Sequence, residues 1–133
     1  MRSHVHHVHL FASDLERSIA FYRDCLGAEV ALDTVLAGVR NVFLRIGRGR
    51  IHLYDQPPRD AGRGAIHHVG IQTDDLAGLV RHMTAAGVVF RKEISEQGAW
   101  RYVMALAPDG VLLELFEVNT AVLPPQLVGY FES

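Results

Sequence analysis

Apolar and polar residues alternate from Val5 to Ala12, which predicts a strand. His7, His9 and Phe11 fall on one of its faces, Val8, Leu10 and Ala12 on the other. The spacing then changes to three and four. Leu15, Ile19, Phe21-Tyr22 and Leu26 draw one apolar stripe, so a helix is expected from about Leu15 to Leu26. Ser13 or Asp14 can cap it, because a short oxygen-bearing side chain accepts hydrogen bonds from the free N–H groups of a first turn. Gly27 is the natural stop. Strands are expected next at Glu29–Val35, Asn41–Ile46 and Arg50–Tyr54, with Gly47-Arg48-Gly49 as a tight turn between the last two.

The same programme then starts again. His6-His7-Val8-His9-Leu10-Phe11-Ala12-Ser13-Asp14-Leu15 returns as His67-His68-Val69-Gly70-Ile71-Gln72-Thr73-Asp74-Asp75-Leu76. The superposition sets His7 on His68, Val8 on Val69, Asp14 on Asp75 and Leu15 on Leu76. Between the copies, the polar Gln56–Gly64 stretch contains two prolines that oppose a helix, and it is the one good internal boundary. The second half predicts a strand at Ile66–Thr73, a helix at Asp75–Ala86 stopped by Gly87, and a strand around Val88–Ile94. A hairpin of Trp100–Leu106 and Val111–Val118 follows, turning on Pro108-Asp109-Gly110. The tail Asn119–Ser133 has two prolines and an apolar end, and is expected to pack as an arm. Each half reads βαβββ, a unit too small to close its own core. The expected architecture is therefore α+β: a single domain in which two βαβββ modules pair into a cupped, half-barrel mixed sheet. Module one spans about residues 4–55, the linker 56–65, module two 66–118 and the arm 119–133.

Composition narrows the function classes. The chain has 133 residues, a net charge of −2 and one cysteine, Cys25. That is length enough for one core without disulfides. A near-neutral balance offers no footprint for nucleic acid and no polybasic patch for a membrane. With no intrachain disulfide, no hydrophobic secretory core and no membrane-length apolar run, the expectation is a cytoplasmic protein.

The candidate chemistry lies in the strands. Glu114 shares a face with Leu112 and Phe116 in an otherwise apolar strand, where a carboxylate is costly to bury uncompensated. Laying Arg50-Ile51-His52-Leu53-Tyr54-Asp55 on Leu112-Leu113-Glu114-Leu115-Phe116-Glu117 puts His52 opposite Glu114. Two repeat-related pairs result, His7 with His68 and His52 with Glu114. Imidazole nitrogen and carboxylate oxygen suit one divalent ion of Zn, Ni, Fe, Mn or Co, and the lack of thiolates excludes a structural cysteine site. A lone strand histidine is usually a hydrogen-bonded bystander; two at equivalent places beside a carboxylate are not so easily dismissed. His9 shares the His7 face but pairs in the repeat with Gly70, so it is assigned to substrate, as are Arg50 and Tyr54, which flank His52. His6 and His67 fall on the helix side and are assigned to structure. Trp100, Tyr102, Phe43 and Met104 read as core or pocket wall.

These residues carry a resemblance. His7 seven residues before Asp14-Leu15, the following Glu16-Arg17-Ser18-Ile19-Ala20-Phe21-Tyr22-Arg23-Asp24-Cys25-Leu26-Gly27, and Pro108-Asp109-Gly110-Val111-Leu112-Leu113-Glu114-Leu115 near the end together resemble the vicinal oxygen chelate superfamily. It includes glyoxalase I, bleomycin-resistance proteins, fosfomycin-resistance thiol transferases, methylmalonyl-CoA epimerases and extradiol dioxygenases. The resemblance runs to about Val118 and implies two βαβββ modules around a metal. It implies His7, His68 and Glu114 as ligands. The position of His52 is a Glu or Gln ligand in glyoxalase I and the epimerases, and histidine there departs from their pattern. The implied activity is redox-neutral isomerase, epimerase or lyase chemistry on a small substrate chelated through adjacent oxygens. Glu114, or His52 off the metal, is the expected base. An iron(II) dioxygenase and a non-catalytic antibiotic binder are the alternatives. A homodimer is expected, with the site in one chain or shared by two.

Overall fold

The computed structural model of the chain describes residues 1–60 and 65–131. Residues 61–64 of the expected linker and the last two of the arm lie outside the described residues. The chain divides into two compact units, Met1–Arg63 and Gly64–Ser133, each with the order βαβββ.

In the first unit, β1 (Val8–Ala12) leads into α1 (Leu15–Leu26), followed by β2 (Glu29–Leu36), β3 (Val39–Ile46) and β4 (Gly49–Asp55). The sheet order is β1-β4-β3-β2, with β1 parallel to β4 and the other pairings antiparallel. Asp14 supplies the cap of α1: its Oδ1 accepts from the Arg17 N–H at 3.1 Å. At the other end Gly27 takes φ 65°, and the N–H groups of Gly27 and Ala28 donate to the carbonyls of Arg23 and Tyr22, both at 3.0 Å. That pair of bonds satisfies carbonyls the helix leaves open, and it needs a left-handed residue. The helix packs on β4, burying Leu15, Ile19 and Tyr22 on the side where Ile51 and Leu53 are also buried. Each such side chain contributes about 1.5–3 kcal/mol.

The second unit repeats this with β5 (Val69–Gln72), α2 (Leu76–Ala85), β6 (Ser95–Gln97), β7 (Trp100–Leu106) and β8 (Leu112–Val118), in the order β5-β8-β7-β6. Again the first strand runs parallel to the last. Asp75 caps α2 through an Oδ1 that accepts from Gly78 N–H at 2.8 Å, and Glu117 Oε2 accepts a second free donor, Leu76 N–H, at 2.8 Å. The arm forms short 3-10 turns and packs within its own unit. Phe131 lies edge-on to Trp100 with ring centres 4.8 Å apart, and its carbonyl accepts from Gln72 Nε2 at 2.6 Å.

Three sequence expectations need correction. The first strands begin at Val8 and Val69, later than Val5 and Ile66, because sheet pairing with β4 and β8 starts there. His7 and His68 therefore stand immediately before their strands. The second strand of the second half is not at Val88–Ile94. Its two-residue turn, Gly98-Ala99, fixes Gln97 opposite Trp100 and Ser95 opposite Tyr102, and pairing ends there. Upstream, Arg91-Lys92-Glu93 interrupts the alternation a half-buried strand requires, and the chain bends at Arg91-Lys92. An open groove of about 500 Å³ results, lined by Val89, Arg91, Lys92, Met104 and Leu106 among others.

Candidate metal centre

Pairing of β1 with β4 sets His9 beside His52, and pairing of β3 with β4 sets Phe43 on the other side of it. The His52 ring is clasped. His7 stacks on it at 3.7 Å between ring centres and Phe43 at 3.9 Å, both within 13° of parallel. Burial between these rings is the main cause holding the His52 pKa below the ordinary imidazole value; nearby His7, His9, His6 and Arg50 add like-charge repulsion. The neutral form so favoured is the one with a lone pair to give to a metal.

The second unit holds the equivalent pair. Gly70 on one side and Met104 on the other flank Glu114 in the register. His68 Nε2 stands 3.1 Å from Glu114 Oε2, each side chain about a third exposed. Two ligands bound at right angles about 2.1 Å from one ion lie about 3.0 Å apart, so this pair has a chelating separation already. The donor types of each pair, two imidazoles in the first unit and an imidazole with a carboxylate in the second, are ones a divalent ion accepts. Each pair is assembled inside its own unit.

The residues assigned to substrate gather in the first unit. The ring of His9 meets that of Tyr54 edge-on at 5.5 Å, and Arg50 lies opposite Arg45 in the β3–β4 ladder, near enough to act on the His52 charge. His6 departs from its structural assignment. It precedes β1, where strand alternation does not operate, and its Nδ1 lies 3.1 Å from that of His7. His67 and His68 show the same approach, at 2.8 Å. The repeated His-His doublet was the signal in the sequence. The capping role of Glu117 had none, since it depends on how β8 passes the start of α2.

Comparison with known proteins follows the same lines. The family model described as Glyoxalase/Bleomycin resistance protein/Dioxygenase superfamily matches residues 4–115. The chain is 32% identical over 126 residues to human mitochondrial methylmalonyl-CoA epimerase, covering 84% of this chain and 72% of that one. It is 31% identical over 122 residues to a probable chloroplastic lactoylglutathione lyase of Arabidopsis thaliana, covering 84% of this chain and 35% of the longer plant protein. Among solved structures, a glyoxylase/bleomycin resistance protein/dioxygenase domain from Frankia superposes with a TM-score of 0.77 at 20% identity, covering 90% of this chain and all of that one. A fosfomycin resistance protein, FosX, from Listeria monocytogenes, complexed with Mn(II) and a dihydroxypropylphosphonic acid, gives 0.75 at 20% identity, covering 90% and 95%. At these identities the structures show a shared fold.

Proposed function

Because the chain belongs to the glyoxalase/bleomycin resistance protein/dioxygenase superfamily, we propose that it is a metal-dependent enzyme of redox-neutral isomerase, epimerase or lyase type. Its substrate is a small carbonyl compound, and an acyl thioester such as methylmalonyl-CoA is the first candidate, after the epimerase relatives. The observation that carries the reading is the pair of repeat-related couples, His7 with His52 and His68 with Glu114, each held close within its unit. These four residues supply the ligands, in one chain or across a homodimer. A bound divalent ion would supply Lewis-acid polarisation of the substrate carbonyl.

The chain's own groups do the rest. With four protein ligands, an octahedral ion would keep two positions, enough for one chelating substrate and too few for substrate and O₂ together. Glu114 is the first candidate base: a proton taken from the carbon beside the carbonyl and returned to either face passes between carboxylate and carbon and needs no redox partner. His52, when off the metal, is the second candidate base, its pKa held below the ordinary imidazole value chiefly by burial. His9, Arg50 and Tyr54 orient the substrate, and the groove beside Met104 has the room, with Arg91 and Lys92 the charge, for an anionic one.

The test is solvent exchange. Methylmalonyl-CoA and lactoylglutathione are incubated in D₂O with protein loaded in turn with Zn, Ni, Co or Mn. Deuterium entering the carbon next to the carbonyl of either, lost in Glu114→Gln, is the expected result. No exchange with any metal, together with O₂ uptake in the presence of iron(II), would make the chain a dioxygenase.

A further inference from the structure

Among the described residues, His6, His7 and His52 form a group of three whose ligand nitrogens all lie within 4.8 Å of one another. Among the described residues the second unit has no matching triad: His67 reaches His68, and His68 reaches Glu114, in a chain rather than a convergence. We infer that His6, His7 and His52 form an all-nitrogen site with which the first unit holds a divalent ion without the help of His68 and Glu114. This goes beyond the proposed function by adding His6, though it shares with that reading the assignment of His7 and His52 as ligands.

Geometry and chemistry support it. Nitrogens bound at about 2.0–2.1 Å to one ion lie about 3.0–3.4 Å apart, so the three rings need close by only about 1–2 Å. His6 and His7 are exposed and precede β1, so their side chains are free to make that adjustment, with His7 turning out of its stack. His52 is the fixed member, gripped by Phe43. Three imidazoles and no hard oxygen select Zn, Ni, Co or Cu over Mn. The first unit is then the point at which metal enters, and it sets which metal enters.

Calorimetry with the metal alone decides the matter, using the full chain without any affinity tag. The His68→Ala, Glu114→Ala double variant is titrated with ZnCl₂ and with MnCl₂, before and after adding His6→Ala. One zinc per chain retained by the double variant, with zinc preferred to manganese, is expected. Losing His6 then weakens zinc at least about tenfold, since even supporting partners of a ligand are worth 10–100-fold. Copper(II) bound to the double variant should show resonance splitting from three nitrogens, and from fewer without His6. Zinc lost entirely from the double variant, or an affinity indifferent to His6→Ala, overturns the inference. Those outcomes leave the four-ligand reading intact, which fails separately if wild type binds no metal. Because His6 lies outside every helix and strand, its substitution does not threaten the fold.

Discussion

Arg40 ties together three places the pattern of apolar residues does not connect. Its guanidinium donates to both carboxylate oxygens of Asp33 on β2, at 2.9 and 2.7 Å, and to Glu16 in the first turn of α1. Those hydrogen bonds hold the Asp33 carboxyl below the usual carboxylate range. A carboxyl with a depressed folded-state pKa adds stability above its unfolded pKa and loses it as pH falls through the folded one. Arg40→Gln should therefore lower the urea midpoint at pH 6, and the gap from wild type should shrink below about pH 4. A gap that persists at pH 2 would show that packing, not charge, is what Arg40 provides. A second residue-scale effect concerns Gly27, whose left-handed conformation closes α1. Gly27→Ala should cost about 1–2 kcal/mol in denaturant unfolding, the penalty of that conformation for an L side chain; no loss would mean the helix end rearranges freely.

The elements were legible wherever periodicity or a cap spelled them out. Helix α1 stops at Gly27 as the spacing marks, α2 ends at Ala85 with Ala86 as its cap just before Gly87, and Asp14 and Asp75 cap the two starts from equivalent places in the repeat. Legibility failed where pairing, rather than pattern, decides. Val88–Ile94 looks apolar enough for a strand, but the turn at Gly98-Ala99 commits the edge of β7 to Ser95–Gln97. The β2–β3 hairpin was also unmarked. It turns on Ala37-Gly38, both with positive φ (51° and 79°), a conformation favoured by Asn-Gly and strained for alanine. Ala37→Asn should raise unfolding stability by about 0.5–1 kcal/mol, seen as a higher thermal midpoint. A lower midpoint would mean that the turn is held by contacts of its own.

At the scale of the whole molecule the repeat was the most legible feature, because two copies of one strand–helix unit leave the same residues in the same register. It matched His9 to Gly70 and His52 to Glu114, and the ladders place both pairs side by side, His9 by His52 and Gly70 by Glu114. The place of His6 beside His7 and His52 was marked only by the doublet repeated at His67-His68, since it depends on where β1 begins. Among the described residues no helix is long and apolar enough to cross a membrane. The central claim is that His7, His52, His68 and Glu114 together bind one divalent ion on which activity depends. The most direct measurement is elemental analysis of tag-free protein after metal-replete expression and dialysis, for wild type and for a variant with all four residues changed to alanine, circular dichroism confirming that the variant is folded. One metal per chain in wild type and none in the folded variant is the expected result. Wild type without metal, or a variant that keeps a full equivalent, would contradict the account.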